Sequence, residues 1–337
     1  MVSDDTAAVT EPLPGPSRPS GGERRVTLRR DIRAAGLDFG VSLLVTAAVF
    51  ALLYARIRSG ASDTVKVMPF MKDADTFWMY WLSQAFGWSA LLWAYGTVVV
   101  GLLLAGPRPG RFARSHAAME RLHRTTSLSA IVLIFAHALM FAAELVRYET
   151  KLSWTTRFGK AFVDTFVPGG YSSGTGEIAI PIGQAALYTA IPLGLLFYWR
   201  HRIGARAWRA LHRFVIVVYV LSVWHTLLYG TNVWYDGWPR TTLWALQLPV
   251  AALFLHRLLR PLRRGERPGK PTGTRQLVRW AVLLAAVATL VALCAVLLSG
   301  RDGGRARSSA SAAGAHDQPL GVSVVGPRVE TAEGLDL

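Results

Sequence analysis

The chain has 337 residues, 52% of them apolar in the broad sense and only 17% charged, yet 37 Lys and Arg against 21 Asp and Glu leave a formal charge of +16. A soluble domain carries about 25% charge, so this composition, with 12 Trp, 14 Phe, 10 Tyr and a mean hydropathy of +0.30, reads as an integral membrane protein. The single cysteine, Cys294, excludes a disulfide framework, a cysteine-ligated zinc site, a protein-held iron–sulfur cluster and the C-x-x-C-H attachment of c-type haem, all of which need several thiolates.

In chain order, residues 1–36 (Pro, Gly, Ser and Asp, then Arg) predict a disordered tail. Seven apolar runs follow near 37–56, 77–105, 120–146, 182–200, 208–230, 241–259 and 276–299, each close to the roughly 18 to 25 residues that cross a bilayer core as helix. Residues 261–275 read as a basic linker before the seventh run, and 300–337, rich in Ser, Ala and Gly, as a second disordered tail. Nothing resembles a cleavable signal peptide, a solenoid repeat, a G-x-G-x-x-G or a Walker motif. The predicted fold is all-α: a polytopic membrane helix bundle with a six-helix core over 37–260 and a seventh C-terminal span.

Basic residues are retained on the cytoplasmic side of membranes, and here they alternate between loops. Arg24, Arg25, Arg29, Arg30 and Arg33 precede the first run; Arg108, Arg111, Arg114, Arg121 and Arg124 lie between the second and third; Arg200, Arg202, Arg206, Arg209 and Arg213 between the fourth and fifth. The loop before the seventh run is richest, with Arg257, Arg260, Arg263, Arg264, Arg267, Lys270, Arg275 and Arg279. The intervening loops balance their bases with Asp63, Asp73, Asp75, Glu149, Asp164 and Glu177. The expected arrangement is a multi-pass protein of the cell membrane, N-terminus cytoplasmic and C-terminus external. The charge excess is then topogenic, and no basic stretch is interleaved with stacking aromatics as nucleic-acid binding requires.

Ionisable residues inside a membrane are costly and mark function by default. Of eight histidines, His116, His201 and His256 fall near cytoplasmic helix ends and His316 in the external tail, where no special role is needed. The other four form two pairs: L-H-R-T-T-S-L-S-A-I-V-L-I-F-A-H carries His123 and His137, and L-H-R-F-V-I-V-V-Y-V-L-S-V-W-H carries His212 and His225. Spacings of fourteen and thirteen residues correspond to rises of about 21 and 19.5 Å. Each helix therefore presents one imidazole near the cytoplasmic interface and one deeper, and the expected topology runs both helices the same way.

Imidazoles facing each other at a common depth are what a bis-histidine b-type haem needs, and two levels make two stacked haems. One feature of the spacing is less regular. On an ideal helix His123 and His137 fall about 40° apart, whereas His212 and His225 fall about 140° apart, which tilt or a local irregularity must absorb. A single buried histidine is adequately explained by a hydrogen bond to a neighbouring helix; two matched pairs favour haem.

At these residues the chain resembles the ferric-reductase-like transmembrane domain, shared by ferric reductases, NADPH oxidases and the haem subunit of bacterial methionine sulfoxide reductase systems. That family carries paired histidines on its third and fifth helices at spacings of fourteen and thirteen. The words R-A-W-R-A-L-H-R-F at 206–214 and F-V-P-G-G-Y at 166–171 resemble the family's approach to its fifth helix and its external loop before the fourth. The resemblance is good over 85–260, weak in the first helix and absent from the tails and seventh run.

The resemblance implies transmembrane electron transfer through two haems b, an inner one held by His123 and His212 and an outer one by His137 and His225. Arg124 and Arg213, each directly after an inner histidine, are read either as haem-propionate partners or as positive-inside anchors. The better-known members continue into a flavin- and nicotinamide-binding module. Here residue 260 is followed by a linker, a further apolar run and a tail without the glycine fingerprint, so a cytoplasmic flavin reductase or a quinol is the expected electron donor. Ferric iron, oxygen or a partner reductase is the expected external acceptor.

Trp78, Trp81, Trp88 and Trp93 read either as haem-packing residues or, in preference, as interfacial anchors, Gly169, Gly170, Gly174 and Gly176 around Tyr171 as a turning loop, and Cys294 as a small apolar residue. Two other classes remain open: a cytochrome b subunit of a quinol-linked respiratory complex, and a haem-free membrane scaffold or transporter. The third- and fifth-helix placement favours the electron conduit.

Overall fold

The computed structural model describes residues 27–106, 115–148, 150–172 and 176–259, with the single positions 280, 283, 284, 287 and 291. The expected tails beyond these limits, the linker 261–275 and most of the seventh run 276–299 lie outside the described residues. Among the described residues every regular element is helical, and five helical stretches are long and apolar enough to cross a membrane: 28–58, 78–105, 116–148, 176–203 and 207–229.

The first, α1 (Leu28–Arg58), starts ahead of the apolar run, so the arginines at 29, 30 and 33 belong to the helix and not to a tail. It ends in a Schellman arrangement: Gly60, at φ 71°, donates to the Ile57 carbonyl at 3.0 Å and Ala61 to the Arg56 carbonyl at 2.9 Å. A short helix α2 (Asp63–Val67) and a 3-10 turn over Pro69–Lys72 lead to α3 (Trp78–Ala105). In this connection the Thr76 hydroxyl and backbone N–H both bond Asp73, holding its carboxyl below the usual range. Then come α4 (His116–Tyr148) and α5 (Trp154–Phe166). The chain continues through α6 (Gly176–Leu195), a 3-10 turn over Leu196–Trp199 and α7 (Arg200–Ile203). After Gly204, whose φ of 85° suits a residue without Cβ, follow α8 (Ala205–His212), α9 (Val215–Tyr229), α10 (Trp238–Ala245) and α11 (Gln247–Leu259).

Packing relies on small residues where helices approach, as in membranes, where lipid and apolar side chains compete equally. Ala85, Ala90 and Ala94 of α3, Ala130 and Ser129 of α4, and Ala179, Ala186 and Ala190 of α6 are buried, while Leu37, Leu44 and Ile178 point outward. One core cluster joins Leu91 and Val98 of α3 to Tyr219, Val223 and Leu227 of α9 and to Leu243 and Val250 of α10 and α11. A second joins Leu53 and Ile57 of α1 to Phe77, Trp81 and Ala85.

Two segments differ from the sequence reading. The expected sixth span, 241–259, is broken at Leu246 into α10 and α11. Pro249 has no N–H for the Ala245 carbonyl, and its ring crowds that group. The stretch after α4, read as a loop, contains α5, which folds back along α4. The Phe166 ring lies 6.5 Å from Phe135, Tyr188 donates to the Phe166 carbonyl, and Gln184 Nε2 donates to the Thr165 carbonyl at 2.8 Å. Ser153 caps its start by accepting from Thr156 N–H. Its outer face exposes Trp154, Phe158 and Phe162 at a spacing of four, and Ala161, Asp164 and Thr165 are buried beneath.

Candidate cofactor site

The two long histidine helices meet as pairs. His123 of α4 faces His212 at the end of α8 with ring centroids 5.9 Å apart and planes at 89°; His137 of α4 faces His225 of α9 at 6.1 Å and 73°. The irregular thirteen-residue spacing is relieved at Arg213 and Phe214, where α8 gives way to α9. There Phe214 N–H bonds the Leu211 carbonyl and Val217 N–H the Phe214 carbonyl, both three-residue rather than four-residue bonds. A 3-10 turn winds about 120° per residue instead of about 100°. Three such residues recover about 60° of the mismatch.

Three of the four rings are held by one device. His123 Nδ1 lies 3.0 Å from the Thr97 carbonyl, His137 Nδ1 2.8 Å from the Ser83 carbonyl and His225 Nδ1 2.7 Å from the Ala179 carbonyl. A carbonyl only accepts, so each Nδ1 carries the proton and each Nε2 keeps its lone pair, the tautomer a metal ligand needs. Four residues beyond each carbonyl is a glycine that leaves room for the ring. A Cβ at Gly101 would lie 3.0 Å from His123 Cε1, one at Gly87 3.0 Å from His137 Nδ1, and one at Gly183 2.8 Å from His225 Nδ1. Gly87 and Gly101 repeat on α3 the fourteen-residue interval of the histidines on α4. His212 departs from this pattern. Leu193 offers the nearby carbonyl, but outside bonding geometry, so its Nδ1 is buried without a partner, and the ring is instead stacked by Trp208 at 5.5 Å and 25°.

The surroundings of the two pairs differ. His123 and His212 line a cavity of about 1200 Å³ whose wall includes Arg124, Glu120, His116, Arg200, His201, Tyr198 and Trp208. Arg124 Nε bonds Asp31 at 2.8 Å, Tyr198 OH donates to the same carboxylate at 2.9 Å, and both Arg124 and Arg200 lie over the Phe197 ring. His137 and His225 line a smaller cavity of about 160 Å³, walled by Tyr80, Gln84, Trp88, Phe141, Tyr229 and Asn232, with no Asp, Glu, Lys or Arg among its described lining residues. Tyr229 stacks on His225 at 6.1 Å and donates to the Tyr171 hydroxyl at 3.2 Å. Beyond it Gln84 and Asn232 bond each other, and Thr231 accepts from Gln84 and meets Thr64.

Of the six residues singled out in the sequence, five are therefore at the two cavities: the four histidines and Arg124. Arg213 is exposed and is not part of the cavity wall. Several groups escaped the linear reading. His116 and His201, read as unremarkable helix-end residues, line the larger cavity, with His116 Nδ1 3.2 Å from Glu120. Trp81 is fully buried and Trp88 lines the smaller cavity, so these two are not interfacial anchors. Asp31 and Asp38 lie seven residues apart on one face of α1, and Asp38 accepts from Ser129 at 2.5 Å and Trp93 at 3.2 Å; that spacing was a readable signal. Glu144, seven residues after His137, is buried with Oε2 unpartnered.

Facing imidazoles, three of which keep Nε2 free by bonding Nδ1 to a carbonyl, suit axial ligation of a metal. Metal–imidazole bonds of about 2 Å, plus about 1.1 Å from nitrogen to ring centre on each side, put facing rings about 6 Å apart, which both pairs meet. Glycines in place of side chains stand against three of the rings, and apolar residues such as Ile131, Ile134, Leu187 and Val218 line the cavities, a donor set and surroundings compatible with a flat iron macrocycle. No curated protein and no solved structure gives a significant match to the chain. Residues 90–223, which take in His123, His137 and His212 and stop two short of His225, are similar to the family described as ferric reductase like transmembrane component.

Proposed function

We propose that the protein is a di-haem b-type electron-transfer component that passes electrons from a cytoplasmic donor across the membrane to an external acceptor. The observation that carries this reading is the pair of histidine pairs at 5.9 and 6.1 Å, three of whose rings have Nδ1 bonded to a carbonyl and Nε2 left for a metal. His123 and His212 hold one haem and His137 and His225 the other. When bound, haem supplies one-electron exchange between ferric and ferrous iron.

The chain's own part is to hold and insulate. The carbonyls of Thr97, Ser83 and Ala179 keep rings in one tautomer and orientation, and the apolar helices keep water from both levels. Arg124 would offer its remaining N–H groups to haem carboxylates by charge-assisted hydrogen bonds, and Arg213 acts as an interfacial anchor. The arginine-rich ends face the cytoplasm, with the N-terminus inside and the C-terminus outside. A flavin reductase or a quinol delivers electrons at the His123/His212 level, and ferric iron, oxygen or a partner reductase receives them beyond His137/His225.

Single substitutions with haem counted by pyridine haemochrome test the assignment. His123→Ala and His212→Ala should each lower two haems to one, and His137→Ala and His225→Ala should remove the other. Two haems retained in all four variants, or no Soret band in the haem-replete parent, would overturn it.

A further inference from the structure

Asp31 is an acid near the start of a membrane helix and is only 3% exposed. A carboxylate so placed needs partners, and it has two from different helices: Arg124 Nε of α4 at 2.8 Å and the Tyr198 hydroxyl, in the 3-10 turn after α6, at 2.9 Å. Arg124 follows His123 directly, lies 5.6 Å over the Phe197 ring, and shares with Phe197 and Tyr198 the wall of the cavity that His123 and His212 line. One edge of a planar guanidinium committed to Asp31, and one face to Phe197, leaves little freedom for the rest.

We propose that Asp31, with Tyr198, is a positioning residue that locks Arg124 beside the His123/His212 pair and sets the electrostatic potential chiefly at that level. The inference rests on the di-haem reading above. Adding an electron to a site is favoured by a nearby cation and opposed by a nearby anion, and both effects are strong where water is excluded. Asp31 partly cancels the Arg124 charge. Removing the carboxylate favours the reduced form of the neighbouring haem; removing the guanidinium disfavours it. The other level lies about 21 Å away along α4, and Coulomb coupling falls with distance, so it responds much less. The two haems thereby acquire different potentials from side chains that touch neither iron ligand.

The test is a spectroelectrochemical titration of the full-length, haem-loaded protein in lipid nanodiscs. Asp31→Asn should shift the reduction equilibrium of one haem about tenfold toward the reduced form, about 59 mV for one electron, and shift the other by much less. Arg124→Gln should shift the same haem the opposite way, which keeps the idea testable if Asp31→Asn does not fold; Asp31→Glu should restore most of the parent value. In the His137→Ala background the Asp31→Asn shift should persist, and in the His123→Ala background it should vanish. Equal shifts of both haems, shifts of the same sign in Asp31→Asn and Arg124→Gln, or no shift in a protein that holds two haems would overturn the role of Asp31 while leaving the di-haem reading intact. A parent protein with no Soret band would instead overturn that reading first.

Discussion

The level of His123 and His212 and the level of His137 and His225 are held by the same means and surrounded by opposite ones. In both, rings from α4 and from the α8–α9 helix meet at about the same centroid distance, with glycines and backbone carbonyls of α3 and α6 behind three of them. Around the first stand Asp31, Arg124, Glu120, His116, Arg200 and His201; around the second, tyrosines, amides and hydroxyls bonded to one another. Ring geometry is thus a property of backbone and glycine placement, which repeats along the helices. Electrostatics is a property of what flanks each level, which does not.

The comparison breaks most severely at the glycines. Gly183→Val should cost the His137/His225 level its haem and Gly101→Val the other, because a Cβ 2.8 or 3.0 Å from the ring must displace the ligand, an overpacking of about 1–3 kcal/mol before any loss of ligation. Gly96→Ala, with open space at its Cβ, should retain both haems. A haem count that stays at two in all three variants would show the glycines to be incidental.

A smaller effect should separate the two ends by charge. Reduction by a soluble anionic donor should slow severalfold as salt rises, because steering by Arg124, Arg200 and their neighbours is screened beyond a Debye length of about 8 Å at physiological ionic strength. Oxidation by a neutral acceptor at the other end should be insensitive to salt. Stopped-flow traces at two salt concentrations measure both, and equal salt dependence at the two ends would remove the asymmetry.

The smallest change is expected from Ser83→Ala. The Ser83 hydroxyl donates to the His137 carbonyl at 3.0 Å, but the ring is held by the Ser83 backbone carbonyl. The variant should keep both haems and lose about 0.5–1.5 kcal/mol of stability, seen as a small fall in Tm. Loss of a haem would mean that the hydroxyl, and not the backbone, orients the ligand.

Much of this site was legible in the amino-acid order, and the gaps have definite causes. The histidine pairs could be read because depth in a membrane helix follows from residue count. That His116 and His201 line the larger cavity could not be read, because nearness to a helix end says nothing about which side of the helix faces a cavity. The back-folded α5 escaped because thirteen residues carrying Lys160 and Asp164 fall short of a span and look like a loop. The break in the sixth run was signalled by Pro249, and the carboxylate pair on α1 by its seven-residue interval; both signals were outweighed by overall apolarity. The equal spacing of Gly87 and Gly101 with His123 and His137 was present in plain view, but acquires meaning only once α3 is known to lie against α4.

What the sequence determined by itself was one-dimensional: which runs are apolar, how many residues separate the histidines on each helix, and which ends carry the arginines. These follow from a fixed rise per residue and from the cost of charge in lipid, both local quantities. Only the tertiary structure decided direction around each helix axis: that Thr97, Ser83 and Ala179 offer their carbonyls to the rings, that Asp31 reaches Arg124, and that Arg213 turns outward. Azimuth depends on where small residues let two backbones approach and on irregular turns such as Arg213–Phe214, and those are properties of helix pairs that no single run of residues contains.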